Sequence, residues 1–200
     1  MAVTLKPIDK KVISFTIRGV SPLIQHKWSD KAMKQIRDKQ AGKKTKVRET
    51  RDPEGEAIAA TYFTEDGSYG VPLEAIKKSI INAAHKDIGI EKTLVRKSLF
   101  IKSDDPGNIL KMECDDPILR EDQVRVGMGS ADLRYRPEFR SWSVRVNAEI
   151  DAGNLTVEDL INLTNLAGFG VGLHEWRPEK GGEFGRFEVD TTVGVEVSDV

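Results

Sequence analysis

Apolar and polar residues alternate over Val12–Arg18, with Ile13, Phe15 and Ile17 on one side and Ser14, Thr16 and Arg18 on the other. A period of two is the mark of a half-buried strand. The pattern is longest over Phe139–Ile150: Trp142, Val144, Val146, Ala148 and Ile150 share one face, and Ser141, Ser143, Arg145, Asn147 and Glu149 the other. Between these strands Leu73, Ile76, Ile80, Ala83 and Ala84 fall at helical spacing and predict a helix over about 73–86, opened by Tyr69-Gly-Val-Pro72. A strand is expected at about 94–101, and a weaker one through Leu110, Met112 and Cys114 with Val124-Arg-Val126 as its partner. Arg134-Tyr-Arg-Pro137 is expected to be irregular, because proline restricts the residue before it. Thr156 caps a helix to about Ala167, with Asp159 at its third position, Leu160, Leu163 and Ala167 inward, and Gly168 as terminator. A strand over Phe184–Val189 follows, and Val193–Val197 extends it or folds back onto it.

The first third is less regular. Gly19-Val-Ser-Pro22 breaks the opening strand. Ser29 suits the N-cap of a short helix over about 30–40, whose apolar positions are few. Lys39–Arg51 has no apolar face and reads as a mobile basic loop. Asp52-Pro53 then offers a cap and a first-turn proline for a helical piece through Ala60.

With the weaker segments set aside, the order is strand, helix, strand, strand, helix, strand. That is the α+β, ferredoxin-like βαββαβ plan of a compact palm. One domain is expected, with a core of residues 12–18, 70–101 and 139–197 and two long insertions, a basic one at about 19–69 and a polar one at about 102–138. Insertions of such length are usually functional or disordered.

The second helix and the last strand flank a glycine-rich run. Gly168-Phe-Gly-Val-Gly172 comes first, the bulky Trp176-Arg177 tip lies in the middle, and Gly181-Gly-Glu-Phe-Gly-Arg-Phe187 ends it. Glycines permit positive φ and close backbone approach, so the run suits contact with phosphates or with a neighbouring chain. Placed in this order of elements, the run resembles the RAMP superfamily of CRISPR systems, on Gly170, Gly172, Gly182, Gly185, Arg186 and Phe187. The resemblance covers those residues and the element order, about half the chain. It implies an RNA-recognition-motif-like core. Backbone-forming members polymerise along RNA with an inserted thumb and a basic palm, and endonuclease members cut RNA without metal. The chain's size also suits a compact phage or mobile-element relative.

Charge is unevenly placed. Residues 1–51 carry fourteen Lys and Arg against four Asp and Glu, whereas residues 52–200 carry seventeen against twenty-eight. That asymmetry suits a polyanion, or head-to-tail contact between the basic part of one copy and the acidic part of the next. A basic loop folded onto its own acidic surface is the competing reading. The single cysteine, Cys114, excludes a disulfide framework and reads as a small buried strand residue. No apolar stretch has the length of a membrane span and no leader pattern opens the chain, so a cytoplasmic protein without membrane contact is expected.

The main nucleic-acid candidates are Lys27, Lys31, Lys34, Arg37, Lys43, Lys44, Lys46, Arg48 and Arg51 of the basic insertion. Lysine and arginine that neutralise phosphates give salt-dependent, sequence-independent affinity. A second set, Arg134, Arg136, Arg140 and Arg145 with Arg125 and Tyr135, suits single strands, because bases stack on aromatic and guanidinium planes. Its competing reading is a set of ion pairs to Glu121, Asp122, Asp132 and Glu138. The sheet's polar face lacks a pair of stacking aromatics. The glycine segment adds Gly168, Gly170, Gly172, Trp176, Arg177, Gly181, Gly182, Gly185 and Arg186, with Trp176 either stacking on a base or covering the core.

His26, His85 and His174 have no metal-ligand spacing, the paired aspartates at 104–105 and 115–116 look like turn residues, and no cofactor motif is present. The sequence therefore predicts a non-enzymatic protein of single-stranded RNA, or less readily DNA, that assembles as a homo-oligomer or filament, alone or within a larger ribonucleoprotein. One alternative is a metal-independent endoribonuclease with His26 as general base and Lys27 as charge stabiliser. Another is a structural protein that self-assembles without nucleic acid.

Overall fold

The computed structural model describes residues 7–28, 33, 34, 37, 38, 40–42, 51–85, 88–126 and 130–199. The two strongly alternating segments form its centre. Strand β1 (Lys10–Gly19) runs antiparallel to β8 (Trp142–Asp151), with Ile13, Phe15 and Ile17 opposite Ala148, Val146 and Val144. All six are buried, so one face of the pair is wholly apolar. Each of the isoleucine, phenylalanine and valine side chains contributes about 1.5–3 kcal/mol when withdrawn from water.

Helices α2 (Leu73–Ala83) and α4 (Val157–Gly170) cover that face with Ile76, Ile80, Leu160, Leu163 and Ala167. Thr156 and Asp159 form the expected capping box at the start of α4. Beside β8 lies β4 (Leu99–Lys102), and beside β1 lies β9 (Phe187–Val189). The order β9-β1-β8-β4, all antiparallel, with a helix after β1 and after β8, is the ferredoxin-like α+β arrangement. Three further strands extend this sheet. β10 (Glu196–Asp199) pairs with the first half of β1, β5 (Ile109–Cys114) pairs with the start of β8, and β3 (Gly70–Pro72) pairs with β5.

Several expectations are corrected. Residues 94–98 are not strand: helix α3 (Lys92–Ser98) precedes β4. A strand would place Val95 and Lys97 on one face, whereas the helix buries Val95 and Ser98 and leaves Arg96 and Lys97 outside. Val124–Val126 does not pair with β5; it ends β6 (Ile118–Val126), which pairs with β7 (Ser130–Phe139). Arg134–Pro137 is regular strand within β7. Pro137 is accommodated because β2 (Leu23–Ile24) pairs only with Phe139 and Glu138, so the absent N–H falls beyond that ladder. Gly168 does not end α4, which continues to Gly170. A Cβ on Gly168 would meet the Phe187 carbonyl, so glycine is needed there for the helix to lie close to β9.

The two insertions meet. The first supplies β2 and α1 (Pro53–Ala59), which Asp52 caps by accepting from Gly55 N at 3.1 Å. The second supplies β6 and β7, and together they form a three-stranded sheet ordered β2-β7-β6 with α1 against it. Gln25, fully buried, fastens this unit to the palm. Its Nε2 donates to Gly70 O at 2.9 Å, and its Oε1 accepts from Tyr62 N at 2.9 Å.

Candidate nucleic-acid interface

The basic insertion is described in part. Lys34 and Arg37 are exposed, whereas Lys31, Lys43, Lys44, Lys46 and Arg48 lie outside the described residues. Lys27 is exposed just after β2. Its backbone N–H donates to Ala60 O at 2.8 Å and its Nζ sits 6.0 Å from the Tyr62 ring centroid. Arg51 bridges the two insertions: Nη2 meets Asp132 at 2.5 Å and Nη1 donates to Leu133 O at 2.8 Å. Its role in the structure is to hold β7.

The second arginine set divides. Arg136 is buried and pairs with Asp122 at 3.1 Å. Arg134 pairs with Asp132 at 3.2 Å, and Arg145 on the open face of β8 pairs with Glu196 at 2.7 Å. Arg140 is well exposed and reaches Glu138 only at 3.8 Å, and Arg125 is exposed. Ion pairing thus accounts for most of this set. On the same open sheet face, Glu149 takes both Lys102 at 2.6 Å and Lys10 at 3.4 Å. Ser14 donates to Asn147 at 2.7 Å. The sheet's polar face is therefore largely neutralised.

His26 belongs to a polar seam inside the insertion unit. Its Nδ1 accepts from Arg136 Nε at 2.8 Å. Burial, then the positive charge of Arg136, holds its pKa below the ordinary histidine value. A neutral ring that accepts at Nδ1 carries its proton on Nε2, which leaves no free lone pair for a general base. The seam continues through Arg120, which donates to Asp122 and to Glu138, each at 2.8 Å, and lies over Phe184 at 4.8 Å. Glu175 approaches Arg136 at 3.8 Å. Burial, then Glu175, raises the pKa of Tyr62. Among the described residues no group of three or more His, Cys, Asp or Glu is placed to hold a metal ion. Burial and neighbouring carboxylates push Cys114 up to about 11, so its thiol is protonated at neutral pH.

The glycine segment is packed rather than open. Gly170 closes α4, Gly172 follows at φ 73°, and Gly181 ends a short 3-10 turn over Pro178–Lys180. Backbone donors that a phosphate would use are already bonded. Leu173 N donates to Gly185 O at 2.9 Å, Phe184 N to Trp176 O at 3.0 Å and Gly182 N to Arg177 O at 3.1 Å. Two more bonds dock the segment on the start of the first insertion, from Gly185 N to Pro22 O at 2.7 Å and from Glu175 N to Ile24 O at 3.1 Å. Trp176 adopts φ 52° and is partly exposed, while Arg177 is engaged by Glu179 at 2.8 Å. Arg186 lies over Phe169 at 5.2 Å, and its Nε is buried without a hydrogen-bond partner. Within the fold the run is a clasp between palm and insertions.

Three features escaped the sequence reading. Arg120 was hidden in a charged strand. Phe169, between two glycines, is 72% exposed at the end of α4. The third is a cluster of cations on α2 and α3.

No family model matches the chain, and no curated protein matches it. Among solved structures it is similar to a chain of the "Type III-B Cmr-beta bound to cognate target RNA", determined by cryo-EM, with a TM-score of 0.42 and 12% identity. The superposition covers 96% of this chain and 61% of that one. Among the described residues no helix is long and apolar enough to cross a membrane.

Proposed function

We propose that this protein binds a single nucleic-acid strand, RNA in preference to DNA, through its basic insertion, and that copies follow one another head to tail along it. The observation that carries the reading is the concentration of fourteen Lys and Arg against four acids in residues 1–51. With the open sheet face neutralised by Glu149 and Glu196, contact with a polyanion falls to the insertion. The acidic remainder of one copy is the complement for the basic part of the next, and a heterologous contact extends unless it closes. A distant relation to the RAMP superfamily, on the element order and the glycine segment, belongs to this reading, as does an intracellular, ribonucleoprotein setting. His26 gives its Nδ1 to Arg136, which favours a binding protein over a nuclease.

The test is a titration of nuclease-treated protein into labelled single-stranded RNA and DNA at low and moderate salt, with particle size read on the same samples. The partner variant replaces Lys43, Lys44, Lys46 and Arg48 by Gln and keeps Arg51, which holds Asp132. Wild type should bind with a salt-dependent affinity and growing particles. The variant should lose about 0.7 of logarithmic salt slope per lost phosphate contact. Particles without nucleic-acid binding would instead mark a structural, self-associating protein.

A further inference from the structure

Among the described residues the acidic part of the chain contains a basic groove. Residues 52–200 carry an excess of acids, yet Lys77 and Lys78 of α2 and Lys92, Arg96 and Lys97 of α3 gather on the helical layer. Between the two helices lies a groove of about 420 Å³ lined by Glu74, Lys77, Lys78, Ile81, Asn82 and Arg96. Three of its six lining residues are cations and one is an acid. Among the described residues none of the three cations has a carboxylate within 4.0 Å. The nearby Glu179 is already engaged by Asn82 and Arg177.

Lys77 is held in place. Its Nζ lies 4.4 Å from the Phe100 ring centroid, where the aromatic face replaces water but supplies no counter-charge. Burial holds its pKa below the ordinary lysine value. A partly buried cation without a counter-ion gains from an arriving anion. The two lysines supply point charges and Arg96 a planar fork, and both forms suit phosphate oxygens. Ile81 lines the groove and the half-exposed Phe100 lies against Lys77 beside it, so apolar surface for sugar or base is at hand. Phosphate contact with adjacent aromatic surface is the common pattern of single-strand binding.

We infer that the α2–α3 groove is a phosphate-binding site that takes the backbone of the bound strand, with Lys77, Lys78 and Arg96 as its ligands. The strand identity rests on the proposed function; the phosphate chemistry does not. The second contact lies outside the basic insertion, so one copy holds the strand at two places.

The experiment compares wild type with K77Q/K78Q/R96Q, whose fold is checked by circular dichroism, and with the insertion variant described above. Inorganic triphosphate is the probe for the groove, read by NMR shifts at α2 and α3, and oligouridylate is the probe for the strand. Triphosphate should shift the groove residues in wild type and not in the triple variant. The triple variant should also lose about 2 of logarithmic salt slope on oligouridylate, from three lost contacts. No triphosphate shifts at the groove, with an unchanged slope in the triple variant, would overturn the inference while leaving the insertion reading intact. Triphosphate binding at the groove in a protein that ignores oligouridylate would uphold the phosphate site and sink the strand. Loss of large particles alone in the triple variant would overturn it, by assigning the groove to contact between copies.

Discussion

Arg136 donates from Nε to Nδ1 of His26 at 2.8 Å, while its Nη1 meets Asp122 at 3.1 Å. The pair joins strand β7 to the segment after β2, residues 110 positions apart. Both Arg136 and Asp122 are buried, so the guanidinium compensates a carboxylate that has little access to water. The unit built by the two insertions depends on this seam.

Arg136→Ala should therefore destabilise by about 1.5–3 kcal/mol, because Asp122 and His26 each lose a charged hydrogen-bond donor while Arg120 still reaches Asp122 at 2.8 Å. His26→Gln should cost less than about 1.5 kcal/mol, since an amide oxygen can still accept from Arg136. Urea denaturation of the two variants measures both. Equal losses would mean that the histidine ring itself carries the packing.

The two glycines that flank Phe169 should respond in opposite directions. Gly168→Ala drives a methyl group into the Phe187 carbonyl and should lower stability by about 1–3 kcal/mol. Gly170→Ala meets open space and should be neutral or stabilise by up to about 1 kcal/mol. Thermal melts of the pair decide the point.

Stability should fall with acidification before the carboxylates titrate. His174 keeps some exposure as a residue, but its Nε2 is sequestered without a partner, and burial holds its pKa at about 4 against the usual 6.5. Between those values the unfolded chain takes the proton more readily, so stability is full above 6.5 and is lost as pH falls toward 4. The slope approaches about 1.4 kcal/mol per pH unit, and the His26 shift acts in the same direction. His174→Asn tolerates the positive φ and should flatten this limb between pH 6.5 and 5, read by denaturation at fixed pH.

Neutralising the open sheet face should leave binding alone. Arg145→Gln and Lys102→Gln remove charges already paired with Glu196 and Glu149. Affinity for oligouridylate and its salt slope should stay at wild-type values, with stability within about 1 kcal/mol. A marked loss of affinity would move the strand onto the sheet.

The palm was legible because burial on one face imprints a period on the sequence. Ile13, Phe15 and Ile17 alternate as their buried positions require, and the stripe on α2 and the Thr156–Asp159 box mark their helices in the same way. The insertion unit was not legible. Strand β6 reads Ile-Leu-Arg-Glu-Asp-Gln-Val-Arg-Val, and its Arg120 and Asp122 are satisfied by residues of β7, so no apolar face announces it. Gly168 looked like a terminator because its true constraint, the Phe187 carbonyl, lies on another strand. The α2–α3 groove was invisible to a charge count, since its lysines and arginine are separated along the chain and diluted by acids elsewhere.

Strand β1 is an early segment whose described hydrogen-bonded neighbours are all late: β8 at 142–151, β9 at 187–189 and β10 at 196–199. During synthesis it waits unpaired, while the β6–β7 hairpin closes from neighbouring residues. Non-local pairing of this kind slows folding and prolongs the life of open edges. Lys10, Lys11 and Arg18 bracket the apolar run of β1 and set like charges against each other when two nascent chains meet. The strand that centres the finished sheet thus has its partners only in late segments, and its flanking cations oppose pairing between copies until they arrive.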